Sequence, residues 1–193
     1  ISFQLFIRSE LINAFSNSTI LGISPENHRH GFWEMEEKIL DYFSLNKLLH
    51  GDMNFHMGFI KIPYENKLIN VIAEKIISNR KIGIISHCKV EEFLKYYNST
   101  IKIRLEIPKR RAKIQRMTRK KYNKILSNIE LYNNEVDFWL VGAGIYAKPF
   151  CEHIRKNNGI GIDIGSSIDT WINQYQSRGH LRKISEKHKA KIN

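Results

Sequence analysis

The stretch VDFWLVGAGIYAKPFCEHIRKNNGIGIDIGSSIDTWINQYQSR, residues Val136–Arg178, decides the fold. It opens with an apolar run, Val136 to Val141, interrupted by Asp137 and too short for a helix, and stops at Gly142 and Gly144. That pattern reads as a buried strand entering a tight turn. From Ile145 the spacing changes. Tyr146, Ala147, Phe150, Cys151 and Ile154 recur at the intervals that put side chains on one helical face. Asn157, Asn158 and Gly159 then provide residues that tolerate the left-handed backbone of a helix C-terminus. A second strand is expected over Gly161–Gly165, giving a βαβ half-unit whose loops open at the carboxyl ends of its strands.

The turn Gly142-Ala143-Gly144-Ile145-Tyr146-Ala147 fits G-x-G-x-x-A, with the acid Asp163 about twenty residues on, as in a dinucleotide-binding fingerprint. Glycine lets the backbone approach a phosphate, and the first amides of the helix point at it. The same glycines also suit a turn that serves packing alone. The next loop, Gly165-Ser166-Ser167-Ile168-Asp169-Thr170-Trp171, leaves the same sheet edge with two hydroxyls, a carboxylate and an indole. Ser166 or Ser167 could equally cap a helix starting near Ile168.

The string LVGAGIYAKPFCEHIRKNNGIGIDIGSSIDTW, with Arg178 soon after, resembles the C-terminal signature of the GT-D-fold glycosyltransferases, in which a strand, a G-x-G turn and a helix lead to an "aIDiGs-D-W" loop. The resemblance extends more loosely upstream, where Thr19–Pro25 is similar to the family's "a-D-ilGiP" segment, with Ser18 in the place of an aspartate. It implies transfer of a sugar from a nucleotide-sugar donor to a hydroxyl of a glycan, glycoprotein or lipid-linked acceptor. It also implies a divalent metal, manganese or magnesium, held with the donor diphosphate by an upstream D-x-E motif. No D-x-E occurs in these residues. The expectation is a chain that starts downstream of its own metal site or has lost it, so no metal ligand is assigned.

Within that reading Gly142, Gly144, Ser166 and Ser167 supply amides and hydroxyls to the nucleotide-sugar, Arg178 supplies a charge, and Asp163 holds a ribose hydroxyl or serves structure alone. Asp169 is the first choice for a catalytic carboxylate near the acceptor. His56 is the second, at a position where the family has a histidine facing the substrate pocket; a histidine hydrogen-bonded in a helix N-terminal turn is the structural alternative.

Elsewhere the chain gives an α/β alternation. An apolar stripe from Leu5 to Phe15 predicts a helix, as do Phe32–Phe43 and a segment from Glu65 carrying Leu68, Val71, Ile72, Ile76 and Ile77. Ile82-Gly83-Ile84-Ile85 reads as a central parallel strand, placing Ser86, His87 and Cys88 at its carboxyl end, where open sheets put ligand groups. His87 and Cys88 make no catalytic pair without a third residue to orient them. Glu91–Tyr97 is a short helix, and Ile101–Ile107 alternates as a strand nearer the sheet edge. Strands near Thr19, Ile82, Ile101, Val136 and Gly161, separated mostly by helices, predict an α/β Rossmann-like sandwich with a mainly parallel sheet flanked by helices. The expected organisation is one domain over 1–178 and a basic tail over 179–193 that frays or packs loosely.

The formal charge of +12 is concentrated between Lys102 and Lys124, where Glu106 is the only acid. A basic helix there could track nucleic-acid phosphates, bind diphosphates, lie against an anionic membrane surface, or present a solvated face. Tyr122 is its only aromatic, which argues against stacking on single-stranded nucleic acid. A non-catalytic nucleotide- or nucleic-acid-binding module is therefore the alternative to a transferase. A nicotinamide-dependent oxidoreductase rests on the G-x-G-x-x-A match alone, and that fingerprint ordinarily opens a domain instead of closing it. His28 and His30 with Glu34 invite a metal reading but lack a third defined ligand. Cys88 and Cys151 form neither a metal nor a redox spacing. No run approaches the roughly eighteen apolar residues of a membrane span, so a cytoplasmic protein, at most peripheral to the membrane, is expected.

Overall fold

In a computed structural model the described residues are 2–18, 21–23, 38, 40–42, 50–52, 62–64, 67–69, 75–108, 116–174, 176 and 179–189. The chain divides into two compact units, 1–55 and 56–193. The first contains helix α1 (Phe3–Ser16) and strands β1 (Leu21–Ile23) and β2 (His50–Asp52), which pair in parallel. The Ser2 hydroxyl caps α1 by accepting a hydrogen bond from the Leu5 amide, and the helix buries Ile7 and Ala14.

The second unit begins with β3 (Ile62–Tyr64) and β4 (Lys67–Ile69), an antiparallel pair in which Tyr64 faces Lys67. Of the helix expected from Glu65, residues 67–69 are strand and 75–77 are helical, while 65–66 and 70–74 lie outside the described residues. The reason is local. Leu68 and Ile69 form an apolar pair too short to distinguish the two periods, and the cross-strand bonds decide it.

Strand β5 (Lys81–Ser86) follows, then helix α2 (Glu91–Tyr96), β6 (Thr100–Leu105), helix α3 (Arg119–Tyr132), β7 (Phe138–Gly142), helix α4 (Ala147–Lys156), β8 (Gly161–Asp163), the short helix α5 (Ser167–Trp171) and helix α6 (Gly179–Lys189). Four of these strands make one all-parallel sheet in the order β6-β5-β7-β8, with helices between them, an α/β Rossmann-like arrangement. As the sequence predicts, β5 is central and buried from Ile82 onward, and β6 lies at the edge with alternating exposure.

The sheet owes its close packing to two glycines. A Cβ on Gly83 would lie 2.4 Å from the indole of Trp139 on the neighbouring strand, so only glycine admits that buried ring. A Cβ on Gly159 would meet the Asn133 side chain at 2.1 Å. Asn133 in turn accepts a hydrogen bond from the Trp139 indole at 3.0 Å and donates to the Asn157 carbonyl at 2.6 Å. Helix α4 ends as expected, with Asn158 at φ +63° and the Gly159 amide bonding back to the Ile154 carbonyl.

Capping by Thr118, whose hydroxyl accepts from the Lys121 amide, starts α3. The helix buries Tyr122, Ile125 and Ile129 and leaves Arg119, Lys120 and Lys124 exposed. The tail does not simply fray. Residues Gly179–Lys189 are helical, with Leu181 fully buried and Ser185 buried one turn on. Among the described residues no helix is long and apolar enough to cross a membrane.

Candidate functional site

Strand order places the site. The chain leaves β5 for β6 on one side and returns to β7 on the other, so the direction of winding reverses between β5 and β7. In an open parallel sheet such a switch point opens a crevice outside the carboxyl ends of the strands. Three segments emerge there: Ser86-His87-Cys88 after β5, the Gly142–Gly144 turn after β7, and the Gly165–Trp171 loop after β8.

The two turn glycines do different work. Gly142 is a packing glycine, because an added Cβ would lie 2.8 Å from Ile168 Cγ2, 3.3 Å from the Gly165 carbonyl oxygen and 3.4 Å from Ser86 Oγ. It lets the last loop close onto the ends of β5 and β7. Gly144 has φ +58° and open space where a Cβ would project, so its backbone is both left-handed and accessible.

The Asp163 carboxylate is committed at both oxygens. Oδ1 accepts from the Gly165 amide at 3.0 Å, holding a turn in which Gly165 has φ +51°, and Oδ2 pairs with Lys148 Nζ at 2.9 Å. Ser166 occupies the N-cap position of α5 but makes no side-chain cap bond, so the capping role suggested for it is not realised. Ser167 is fully buried, and its carbonyl accepts from the Thr170 hydroxyl at 2.6 Å. Trp171 turns inward and stacks on Phe93 with centroids 4.2 Å apart, a core contact. His56 and Arg178, and likewise His28 and His30, lie outside the described residues.

What the sequence could not join, the fold does. Asp169, on α5, meets His87 and Cys88 from the end of β5. The Cys88 thiol donates to Asp169 Oδ1 at 3.4 Å, His87 Nε2 lies 3.8 Å from the same oxygen, and Cys88 Sγ is 3.5 Å from His87 Nε2. Asp169 thus stands beside the adjacent histidine and cysteine and bonds the cysteine. Ser86 braces the group, its hydroxyl accepting from the Cys88 amide at 3.0 Å. The signal available beforehand was positional, since Ser86, His87 and Cys88 follow a central strand.

A model of the GT-D fold-like domain matches residues 4–171. The chain belongs to the GT-D-like family. No curated protein sequence and no solved structure matches it. For a GT-D-like chain the expected metal is manganese or magnesium, which prefer carboxylate, carbonyl and water oxygens. The three-residue group found among the described residues offers one nitrogen, one sulfur and one carboxylate oxygen. This donor set does not fit a hard, oxygen-seeking ion, and the D-x-E motif is absent from the sequence.

Proposed function

We propose that this GT-D-like chain binds a nucleotide-sugar at the β5/β7 switch point and transfers the sugar to a hydroxyl acceptor. The observation that carries the reading is the convergence there of an open left-handed glycine turn with a loop bearing a carboxylate. In the reaction the acceptor oxygen forms a bond to the anomeric carbon as the bond to the diphosphate oxygen breaks. The nucleoside diphosphate leaves and the hydroxyl proton passes to a base. Amides around Gly142–Gly144 and the Ser166 hydroxyl are suited to the diphosphate, with Arg178 adding positive charge.

Asp169 is the proposed proton acceptor, with His87 at 3.8 Å beside it. A positioned general base contributes about 10²–10⁴-fold, so Asp169→Asn should lower turnover by that range. His56 remains the second choice. The acceptor class is a glycan, glycoprotein or lipid-linked hydroxyl, and the exposed Lys120 and Lys124 of α3 suit an anionic membrane surface that would carry a lipid-linked one.

The same basic face favours a second reading, a non-catalytic nucleotide- or nucleic-acid-binding module. Calorimetric titration of the chain with UDP and UDP-sugars, with and without manganese, separates the two. Saturable UDP-sugar binding that Gly144→Val abolishes, with UDP released when a hydroxyl acceptor is added, supports the transferase reading. Heat only from a nucleic-acid ligand, lost as salt is raised, would replace it with the second.

A further inference from the structure

We propose that His87, Cys88 and Asp169 form a three-ligand site for a thiophilic divalent cation of the zinc class. The inference stands on the geometry of the cluster and does not depend on sugar transfer.

The separations are the first argument. A tetrahedral zinc ion with a sulfur ligand at about 2.3 Å and nitrogen and oxygen ligands at about 2.0–2.2 Å sets ligand-to-ligand edges of about 3.3–3.6 Å. The sulfur–oxygen and sulfur–nitrogen edges here, 3.4 and 3.5 Å, lie in that range, and the nitrogen–oxygen edge is longer, at 3.8 Å. A thiol donating to a carboxylate accounts for the first of these. The imidazole nitrogen is 3.5 Å from the sulfur, within hydrogen-bond reach of it, and 3.8 Å from the carboxylate oxygen, beyond a direct hydrogen bond. One small cation at the centre of the triangle satisfies all three contacts.

The second argument is charge. Asp169 is buried, at 7 % exposure, and among the described residues no lysine or arginine pairs with it. A buried carboxylate requires a compensating partner, and a divalent cation supplies one. On binding, the Cys88 thiol proton leaves to solvent and the sulfur becomes a thiolate ligand, so one proton is released per cation.

The third is donor chemistry and access. Thiolate, imidazole and carboxylate together select zinc over magnesium or manganese. Cys88 and Asp169 close the inner side, while the His87 side chain is 23 % exposed, so solvent or a ligand atom can take the fourth position, as in an open zinc site. Ligation through Asp169 Oδ1 leaves the second carboxylate oxygen uncommitted to the cation. The Ser86 hydroxyl, bonded to the Cys88 amide, fixes the turn that presents two adjacent ligands.

The test uses the full chain, stripped with a chelator and titrated with cobalt and then zinc. One cobalt per chain is expected, with tetrahedral ligand-field bands and a thiolate-to-cobalt charge-transfer band, displaced by zinc but not by equal concentrations of magnesium or manganese. Cys88→Ser should remove the charge-transfer band, and Cys151→Ser should leave it. Because Cys88 is buried and its variant could misfold, His87→Ala at the more accessible ligand gives an independent readout. It should weaken zinc binding at least about tenfold with an unchanged circular dichroism spectrum, since even outer-shell losses cost about 10–100-fold. Absence of the charge-transfer band in the parent chain, its survival in a folded Cys88→Ser variant, or unchanged zinc affinity in His87→Ala overturns the proposal.

Discussion

Replacing Gly142 by alanine tests how the last loop is seated. The new methyl would stand 2.8 Å from Ile168 Cγ2 and 3.3 Å from the Gly165 carbonyl oxygen, against the roughly 3.5–4.0 Å at which carbon atoms rest. Ile168 is 1 % exposed, and its β-branch is stiff about χ1, so Cγ2 cannot swing aside at little cost. Overpacking of this kind costs about 1–3 kcal/mol. At about 2–4 °C per kcal/mol for a chain of this size, Tm falls by roughly 2–12 °C. The cause is isolated by Ile168→Leu, which conserves volume but has no Cγ2. Urea unfolding followed by tryptophan fluorescence gives the free energies of the four proteins in the cycle. The cost of Gly142→Ala should drop by more than half in the Ile168→Leu background, a coupling of the size contacting residues show. Equal costs in both backgrounds would refute the account of Gly142 as the residue that lets the loop close on β7.

Three further outcomes follow from other contacts. Asn133→Ala leaves the buried Trp139 indole N–H without its acceptor and removes the bond to the Asn157 carbonyl. A loss of about 2–4 kcal/mol is expected from urea unfolding, and a loss below about 0.5 kcal/mol would contradict the bracket described here. Gly144→Ala meets no atom but must hold φ +58°, so it should cost about 1–2 kcal/mol without unfolding the chain, and should weaken UDP binding more than Gly142→Ser weakens it per unit of stability lost. Burial first, then the charge of Asp163, pushes the Cys151 thiol up from its usual 9.0, with Lys148 opposing. With the folded pKa raised, that stability is fully present below pH 9 and is lost as pH rises, because the unfolded thiol ionises first. The stability difference between the parent and Cys151→Ser should therefore shift against the parent above about pH 9; a difference flat from pH 8 to 10.5 would contradict this.

The sheet was legible because its strands are punctuated. Ile82–Ile85 and Phe138–Val141 are short apolar runs closed by a polar or glycine residue, and a helical spacing separates each from the next strand. Sequence alone also singled out Asp169, because it sits in the loop after the last strand. Four things were not legible. The pair β3–β4 was hidden because Leu68 and Ile69 fit either period, and cross-strand hydrogen bonds leave no mark in local spacing. Helix α6 was hidden because its segment is mostly polar and lysine-rich, with Leu181 buried among the described side chains. The meeting of His87 and Cys88 with Asp169 was hidden by distance along the chain, since nothing local to either segment encodes the β5-β7-β8 adjacency that joins them. The inward turn of Trp171 escaped for a related reason. Its partner Phe93 lies on α2, and only the fold brings the two rings together.

The proposed ligand crevice of this GT-D-like chain is at the β5/β7 switch point. Hydrogen exchange of the full chain, measured by mass spectrometry with and without UDP, tests it most directly. Slowed exchange is predicted in peptides covering Gly142–Ile145 and Gly165–Asp169, with little change across helix α3. Protection confined to α3, with both loops unchanged while UDP is bound, would contradict the claim and move the site to the basic face.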